Sequence, residues 1–331
     1  MLKSKKHFLF LLLISTFLYT CRQTESATYS IETPEPSDNK YSPEKVALGR
    51  MLFFDTRLSN DNTVSCATCH NPSFAFTDRL KKSKGVNNQI TQRNSPSLLN
   101  ATFLKTVMFD AHIPTLEMQV IVPIQEHTEM NMNMKELIPK LRSISKYQRL
   151  AKKVFNRDFD AWVLTRSISA FERTLISMNS RYDQFKNGNK NALSKKEKKG
   201  LKLFSEKLYC TSCHTPPHFT THEAANNGLL KKYNDDKGRF RIHNDSSDIG
   251  KFKIPSLRNI ELTFPYMHDG SYDKLEHIID HYAKGGNQHK NQNSIIKPFE
   301  ISTKEKNQLI AFLKSLTDIL INRLGSFWSA F

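Results

Sequence analysis

The chain has 331 residues, and its 49 lysines and arginines against 32 aspartates and glutamates give a net charge of +17 at pH 7. This length is sufficient for two domains with buried cores. The positive charge favours an acidic protein partner or an anionic membrane face. The motifs described below account for all five cysteines, so the sequence predicts no disulfide bond.

The N-terminal segment is typical of an exported protein. A basic stretch at positions 3–6 precedes an apolar run from Phe8 to Tyr19, which is too short to span a bilayer comfortably. Residues 18–21 (Leu-Tyr-Thr-Cys) resemble a bacterial lipobox. We therefore predict a lipoprotein-type signal peptide over residues 1–21, a periplasmic location with a lipid anchor at Cys21, and a flexible tether over residues 22–40. Simple cleavage of the signal peptide near this position is the alternative.

Helical patterns dominate the remaining sequence. Residues 42–44 (Ser-Pro-Glu) have the N-cap, the N1 proline and the first-turn acid of a helix start. Ser194 and Glu197 form the capping box of another helix. Apolar periodicity predicts further helices over residues 162–176 and 304–320. No sustained alternation of the kind found in strands occurs, so the sequence predicts a mainly α protein.

A weak internal repeat suggests two related domains. Residues 49–53 (Gly-Arg-Met-Leu-Phe) and 200–204 (Gly-Leu-Lys-Leu-Phe) each precede a similar pentapeptide, and both lie in helical patterns. A segment rich in Gly, Asn and Lys over residues 186–191 is the expected boundary between domains. We therefore predict an N-terminal domain over residues 41–188 and a C-terminal domain over residues 189–331.

The pentapeptides are two Cys-x-x-Cys-His motifs, the strongest signal in the chain. Two thiols at i and i+3 can each form a thioether with a haem, and the adjacent histidine can bind its iron. Zinc sites and redox dithiols also use Cys-x-x-Cys pairs, but a four-cysteine zinc site requires neither histidine. The motifs therefore predict two haem c groups in an exported protein, for which nucleic acid is not an expected partner; the residues concerned are Cys66, Cys69, His70, Cys210, Cys213 and His214.

The motifs and their surroundings resemble the bacterial diheme cytochrome c peroxidases and their MauG-like relatives over roughly residues 42–320. The resemblance implies two cytochrome c-like domains with the haems near the domain interface. It rests on seven segments in the same order as in the family: 48–55 (LGRMLFFD), 66–70 (CATCH), 92–96 (QRNSP), 123–130 (PIQEHTEM), 236–240 (DKGRF), 255–259 (PSLRN) and 265–270 (PYMHDG).

The family pattern implies different roles for the two haems. The haem on His70 is expected to bind peroxide, and the haem on His214 is expected to relay electrons. Glu129 matches the family's distal glutamate, which moves a proton between the peroxide oxygens. Gln119 matches a distal glutamine that orients peroxide or water. His127, close to Glu129 in the sequence, is the rival proton carrier.

The sequence departs from the peroxidase pattern in the loop that can block the peroxide site. Peroxidases of one kind carry a histidine there, which leaves the iron only after the relay haem is reduced. The matching position holds Val86. We therefore expect a peroxide site that is five-coordinate or water-bound without reductive activation.

Two further departures concern the relay haem and the space between the haems. Ordinary diheme peroxidases supply a methionine as the sixth ligand of the relay iron, whereas the matching position here holds Tyr282, as in MauG-like enzymes. Met267 and His281 are the rival ligands. Phe109 stands where family members place a tryptophan between the haems, and phenylalanine is much harder to oxidise.

The resemblance also implies a calcium ion between the domains, bound by Asn94 and the backbone carbonyls of Thr263 and Pro265. The expected function is the reduction of hydrogen peroxide with electrons from a small c-type cytochrome or a similar carrier. A MauG-like oxidase that uses peroxide to oxidise a protein or small organic substrate is the first alternative. A diheme electron carrier without catalysis is the second, and a homodimer stays open.

Overall fold

The computed structural model of the chain describes residues 33–318, 320 and 321. In this part of the chain the fold is mainly α, as predicted. The α-helices are α1 (Pro43–Phe53), α2 (Cys66–Cys69), α3 (Leu116–Gln119), α4 (Ile121–Gln125), α5 (Met134–Arg142), α6 (Ser145–Phe155), α7 (Ala161–Arg173), α8 (Arg181–Lys186), α9 (Lys195–Lys202), α10 (Phe240–His243), α11 (Leu275–Ala283) and α12 (Thr303–Lys314).

Short elements join these helices. A π-helical turn, Leu203–Lys207, continues α9. Two antiparallel strands of two residues, β1 (Ala224–Ala225) and β2 (Phe252–Lys253), pair Ala224 with Lys253 and Ala225 with Phe252. The 3-10 turns are Thr56–Leu58, Pro72–Phe74, Val86–Asn88, Ala101–Phe103, Cys210–Ser212, Ser246–Asp248 and Ile260–Leu262.

None of the helices in the described ranges is both long enough and apolar enough to cross a membrane. The predicted signal peptide, the lipid-modified Cys21 and most of the tether lie outside the described residues, and they stay predictions.

Helix α1 begins where the sequence predicts, because the Ser42 side chain accepts a hydrogen bond from the Lys45 N–H and Pro43 occupies N1. The helix packs against α7. Gly49 makes this close approach possible, since a Cβ atom at that position would lie 1.7 Å from the Ser167 carbonyl oxygen.

Helices α9 and α12 form a second pair of the same kind. Gly200 of α9 lies where a Cβ atom would be 2.0 Å from the Gln308 carbonyl oxygen. Each crossing also buries a tilted phenylalanine contact: the ring centroids of Phe53 and Phe171 are 5.0 Å apart, and those of Phe204, in the π-helical turn that continues α9, and Phe312 are 5.1 Å apart. The weak sequence repeat therefore corresponds to a repeated helix crossing ahead of each pentapeptide.

The buried hydrophobic residues form two large clusters, one drawn from residues 48–175 and the other from residues 182–316. Domain limits at 41–188 and 189–331 stay a prediction. Two helix ends differ from expectation, because α7 ends at Arg173 and not at residue 176, and α12 ends at Lys314 and not at residue 320. After α12, the Asp318 carboxylate accepts a hydrogen bond from the Asn179 N–H at 2.9 Å.

Candidate haem sites

The N-terminal motif lies on α2, and His70 caps this one-turn helix. Its Nδ1 atom is 3.1 Å from the carbonyl oxygen of Phe76 and 3.3 Å from the hydroxyl of Ser95. An imidazole held through Nδ1 presents Nε2 as its free ligand atom. The thiols of Cys66 and Cys69 are not in a disulfide. This motif therefore has the free thiols and the oriented imidazole that a c-type haem requires.

The C-terminal motif repeats this arrangement. His214 Nδ1 lies 3.1 Å from the Phe219 carbonyl oxygen and 3.2 Å from that of Pro255, so Nε2 is again the free ligand atom. Cys210 and Cys213 are also free thiols. All three motif residues line a cavity of about 390 Å³ whose walls are mostly apolar. The donor set and the cavity both fit a haem.

Glu129 lies near the N-terminal motif in a partly buried position. Burial, with a smaller contribution from the Glu126 carboxylate, raises the pKa of Glu129 to about 7. Burial also raises the pKa values of the Cys66 and Cys69 thiols, and the Glu129 charge adds to both increases. The carboxyl group is therefore within electrostatic reach of both thiols.

Two other residues predicted on this side lie in different surroundings. Gln119 is the last residue of α3 and is partly buried. Among the described residues, no side chain or backbone group hydrogen-bonds to its amide. His127 is exposed, with 77% of its side chain accessible, and its Nδ1 pairs with Glu126 at 2.6 Å. Glu129 is thus the more enclosed of the two candidate proton carriers.

The loop at Val86 packs directly on Glu129. The Val86 side chain is fully buried, and its N–H donates to the Glu129 carbonyl oxygen at 2.8 Å. The next residue, Asn87, donates its N–H to the Asp61 carboxylate at 3.1 Å. Val86, the residue that the sequence resemblance matches to the blocking histidine of some peroxidases, is therefore part of the hydrophobic core.

Two of the three candidate sixth ligands line the cavity of the C-terminal motif, and the third does not. Tyr282 and Met267 line the cavity that also contains His214. Burial raises the pKa of Tyr282 to about 12, and a hydrogen bond with the Asn227 side chain opposes this increase. His281 is buried, but its Nε2 is 3.0 Å from the Asn227 carbonyl oxygen. Among the described residues of α11, those lining the cavity are Leu275, Ile278, Ile279 and Tyr282, without His281.

Phe109 borders the same cavity, and its carbonyl oxygen accepts a hydrogen bond from the Lys253 N–H at 2.7 Å. Arg93 lies over the Phe109 ring at 6.0 Å and pairs with Asp110 at 2.8 Å and with Asp236 at 2.6 Å. The pair with Asp236 joins residues 143 positions apart. Sequence analysis did not find it, because no local pattern marks two charges so distant in the chain.

The predicted calcium ligands line the same cavity. The Asn94 N–H donates to the His268 carbonyl oxygen at 2.8 Å, and its side-chain Nδ2 donates to the Leu80 carbonyl oxygen at 2.7 Å. No donor among the described residues binds Asn94 Oδ1 or the carbonyl oxygens of Thr263 and Pro265. The described residues contain no cluster of three or more His, Cys, Asp or Glu side chains suited to a metal ion. The calcium site, which would use an amide and backbone oxygens, stays a prediction.

Sequence analysis also missed Asn227, which contacts Met267 and Tyr282 and whose backbone contacts His281. The signal available was the Asn227-Gly228 pair, and a dipeptide of this kind indicates a turn without indicating a role. Its importance depends on three residues that are 40 to 55 positions away in the sequence.

Comparisons with known proteins identify the family of the chain. The family model for di-haem cytochrome c peroxidase (CCP_MauG) matches residues 43–191. The methylamine utilization protein MauG of Methylorubrum extorquens is 36% identical over 285 residues, covering 86% of this chain and 81% of the relative. The cytochrome-c peroxidase IdrP1 of a Pseudomonas species is 30% identical over 319 residues, covering 86% of this chain and 83% of the relative.

A solved structure of a MauG-like protein associated with microbial copper homeostasis has the same fold. It aligns with a TM-score of 0.83 and 33% sequence identity, covering 88% of this chain and 95% of its own. The two haem-attachment motifs and the matches along most of the chain lead to one assignment. The chain belongs to the MauG-like diheme cytochrome c peroxidase family.

Proposed function

We propose that the protein reduces hydrogen peroxide to water with two electrons and two protons, the electrons being delivered singly by a small c-type cytochrome or a similar carrier. Haem bound at His70 would supply the iron at which peroxide reacts, and haem bound at His214 would supply the electron store. The observation that carries the proposal is the enclosed Glu129 carboxyl group near the N-terminal motif.

Glu129 has the properties of a proton carrier. A group whose pKa is near the working pH can both accept and donate a proton, and burial raises the pKa of Glu129 to about 7. No described residue hydrogen-bonds to its carboxyl oxygens, so they are free to contact a substrate. Gln119, whose amide is also unpaired within the described ranges, would hold peroxide or water by hydrogen bonding.

The C-terminal motif supports the electron-storage role. His214 is held by two backbone carbonyls, and Tyr282 lines the same cavity. A site with two fixed ligands suits electron transfer, since little rearrangement accompanies a change of charge. The positive charge of the chain favours an acidic donor protein.

The test is peroxide consumption by the purified diheme protein with a reduced small c-type cytochrome as the electron donor. We expect turnover in the wild type, a loss of about 10²–10⁴-fold in Glu129→Gln, and wild-type rates in the exposed control Glu136→Gln. Unchanged turnover in Glu129→Gln would remove the proposed role of Glu129. Absence of turnover with every one-electron donor would favour the electron-carrier alternative.

A second candidate function is a MauG-like oxidase that acts on a protein or small organic substrate. Tyr282 on the cavity wall and the lack of a histidine at Val86 favour it, and Phe109 counts against long-range oxidation through that position. Peroxide added to the diferric protein without a donor separates the two functions. A long-lived spectral change that only an oxidisable organic substrate reverses would support the oxidase.

A further inference from the structure

One residue, Asn227, hydrogen-bonds to two of the three candidates for the sixth ligand of the C-terminal haem iron and lines the same cavity as the third. Asn227 follows β1 and lines the cavity that contains His214. Its side-chain nitrogen lies 3.4 Å from the Met267 sulfur, and Tyr282 lines the same cavity. Its backbone carbonyl oxygen lies 3.0 Å from His281 Nε2.

The orientation of the Asn227 amide follows from its neighbour in the chain. The Leu229 N–H can only donate, and it lies 3.1 Å from Asn227 Oδ1. The amide oxygen is therefore committed to the turn, and the NH₂ group, which can only donate, faces the cavity. One of its N–H bonds is directed to the Met267 sulfur.

These contacts affect the three candidates differently. The Asn227 donor engages one lone pair of the Met267 sulfur and holds the sulfur beside Asn227. A carbonyl oxygen accepts only, so His281 Nε2 carries its hydrogen and cannot be the ligand atom, and His281 is not among the described residues that line the cavity. Asn227 therefore restrains Met267 and His281 and leaves Tyr282 on the cavity wall.

We propose that Asn227 is a positioning residue that selects Tyr282 over Met267 and His281 as the sixth ligand of the C-terminal haem iron. This inference rests on the proposed assignment of Tyr282 as that ligand. It adds the reason why a methionine lining the same cavity does not take the position.

The test is axial-ligand spectroscopy on the purified diheme protein. In the ferric wild type we expect the EPR and absorption features of tyrosinate ligation, and in Asn227→Leu their loss with the appearance of a far-red methionine–iron charge-transfer band. The double variant Asn227→Leu/Met267→Leu should lack that band, which would identify the incoming ligand. The reduction potential of this haem should rise in Asn227→Leu, because a neutral thioether replaces an anionic phenolate.

The Asn227→Asp variant tests the same role if Asn227→Leu does not fold. It keeps the acceptor for the Leu229 N–H and replaces only the donor, so the turn is preserved while tyrosinate features should still be lost. Asn293→Leu is the matched control, since Asn293 lines the same cavity and the described contacts of its side chain do not include Met267, His281 or Tyr282.

The outcomes distinguish the proposed role of Asn227 from the proposed assignment of Tyr282 as the iron ligand. Wild-type protein without tyrosinate features, and unchanged by Tyr282→Phe, would contradict the ligand assignment itself. Wild-type protein with those features, retained in both Asn227 variants, would overturn the role of Asn227 alone. An equal loss of the tyrosinate features in Asn293→Leu would show that any disturbance of the cavity has the same effect. That result would also overturn the role of Asn227.

Discussion

The backbone N–H of Val86 donates a hydrogen bond to the carbonyl oxygen of Glu129, with 2.8 Å between nitrogen and oxygen. The residue before Val86, Gly85, also packs closely against the backbone next to Glu129. A Cβ atom on Gly85 would lie 2.1 Å from the Thr128 carbonyl oxygen. The position of the loop and the position of Glu129 therefore depend on each other.

We predict that peroxide reacts with the diferric protein without prior reduction. The buried Val86 side chain offers no ligand to the iron on His70, and the backbone bond to Glu129 holds the loop in the core. Stopped-flow mixing of peroxide with the as-isolated and the one-electron-reduced protein should give the same bimolecular rate constant. A lag that pre-reduction abolishes, with a low-spin EPR signal from both ferric haems, would contradict this prediction.

We predict that Gly85→Ala lowers both stability and peroxide reactivity. The added methyl group must displace the Thr128–Glu129 backbone, which costs about 1–3 kcal/mol of unfolding free energy and moves Glu129. Urea unfolding and peroxide turnover per folded molecule measure the two effects. Gly200→Ala creates a similar clash, 2.0 Å, in the other hydrophobic cluster. It should lower stability while peroxide still reacts at the wild-type rate, and equal kinetic effects in both variants would argue against coupling of the loop to Glu129.

We predict that kcat/KM for peroxide falls as the pH drops below about 7. Glu129 must be deprotonated to accept a proton, and its pKa is raised to about 7 by burial and by Glu126. Glu126→Gln removes the negative charge that contributes to this increase, so the midpoint of the pH profile should move to lower pH. Glu129→Gln should abolish the transition, and a midpoint that survives in that variant would assign it to another group.

The parts of the fold predicted correctly from the sequence are those determined by near neighbours. The N-cap at Ser42 and the capping box at Ser194 and Glu197 form as predicted, because each depends on residues within one helical turn. The end of α12 was wrong by six residues. There the Asp318 carboxylate binds the Ser177 hydroxyl and the Asn179 N–H, and such distant partners leave no periodic signal.

The candidate site also combines features that the sequence predicts with features that it does not. The haem motifs are contiguous, so the sequence identifies His70 and His214 as candidate ligands. The groups that orient these imidazoles are backbone carbonyls, such as those of Phe76 and Phe219. Any residue type can supply a carbonyl oxygen, so the sequence carries no signal for it. Asn227 could not be found for a related reason, since its partners come from two other segments of the chain.

Two buried glutamates near each other differ in their partners. Glu117 accepts hydrogen bonds from Arg173 at 2.6 and 2.9 Å and from Asn39 at 2.7 Å. Burial opposes its ionisation, but these partners outweigh burial and hold its pKa at about 2. Glu172 is also buried, and its Oε2 atom has no hydrogen-bond partner among the described residues. Burial raises the pKa of Glu172 to about 8, although Arg173 partly opposes the increase.

We predict that Glu172→Gln increases stability at neutral and alkaline pH. Between about pH 4.5 and pH 8 the folded protein keeps a proton on Glu172 that the unfolded chain releases, so the wild type loses on the order of 1 kcal/mol per pH unit from this group as the pH rises. A glutamine has no proton to lose, and the variant should unfold at higher urea concentration than the wild type at pH 8 but not at pH 5. Glu117→Gln is the control, because it is expected to lower stability where Glu172→Gln raises it. It breaks a buried ion pair and should cost about 3–5 kcal/mol at pH 7. A stability difference between Glu172→Gln and the wild type that does not change with pH would show that Glu172 is ionised in the folded protein.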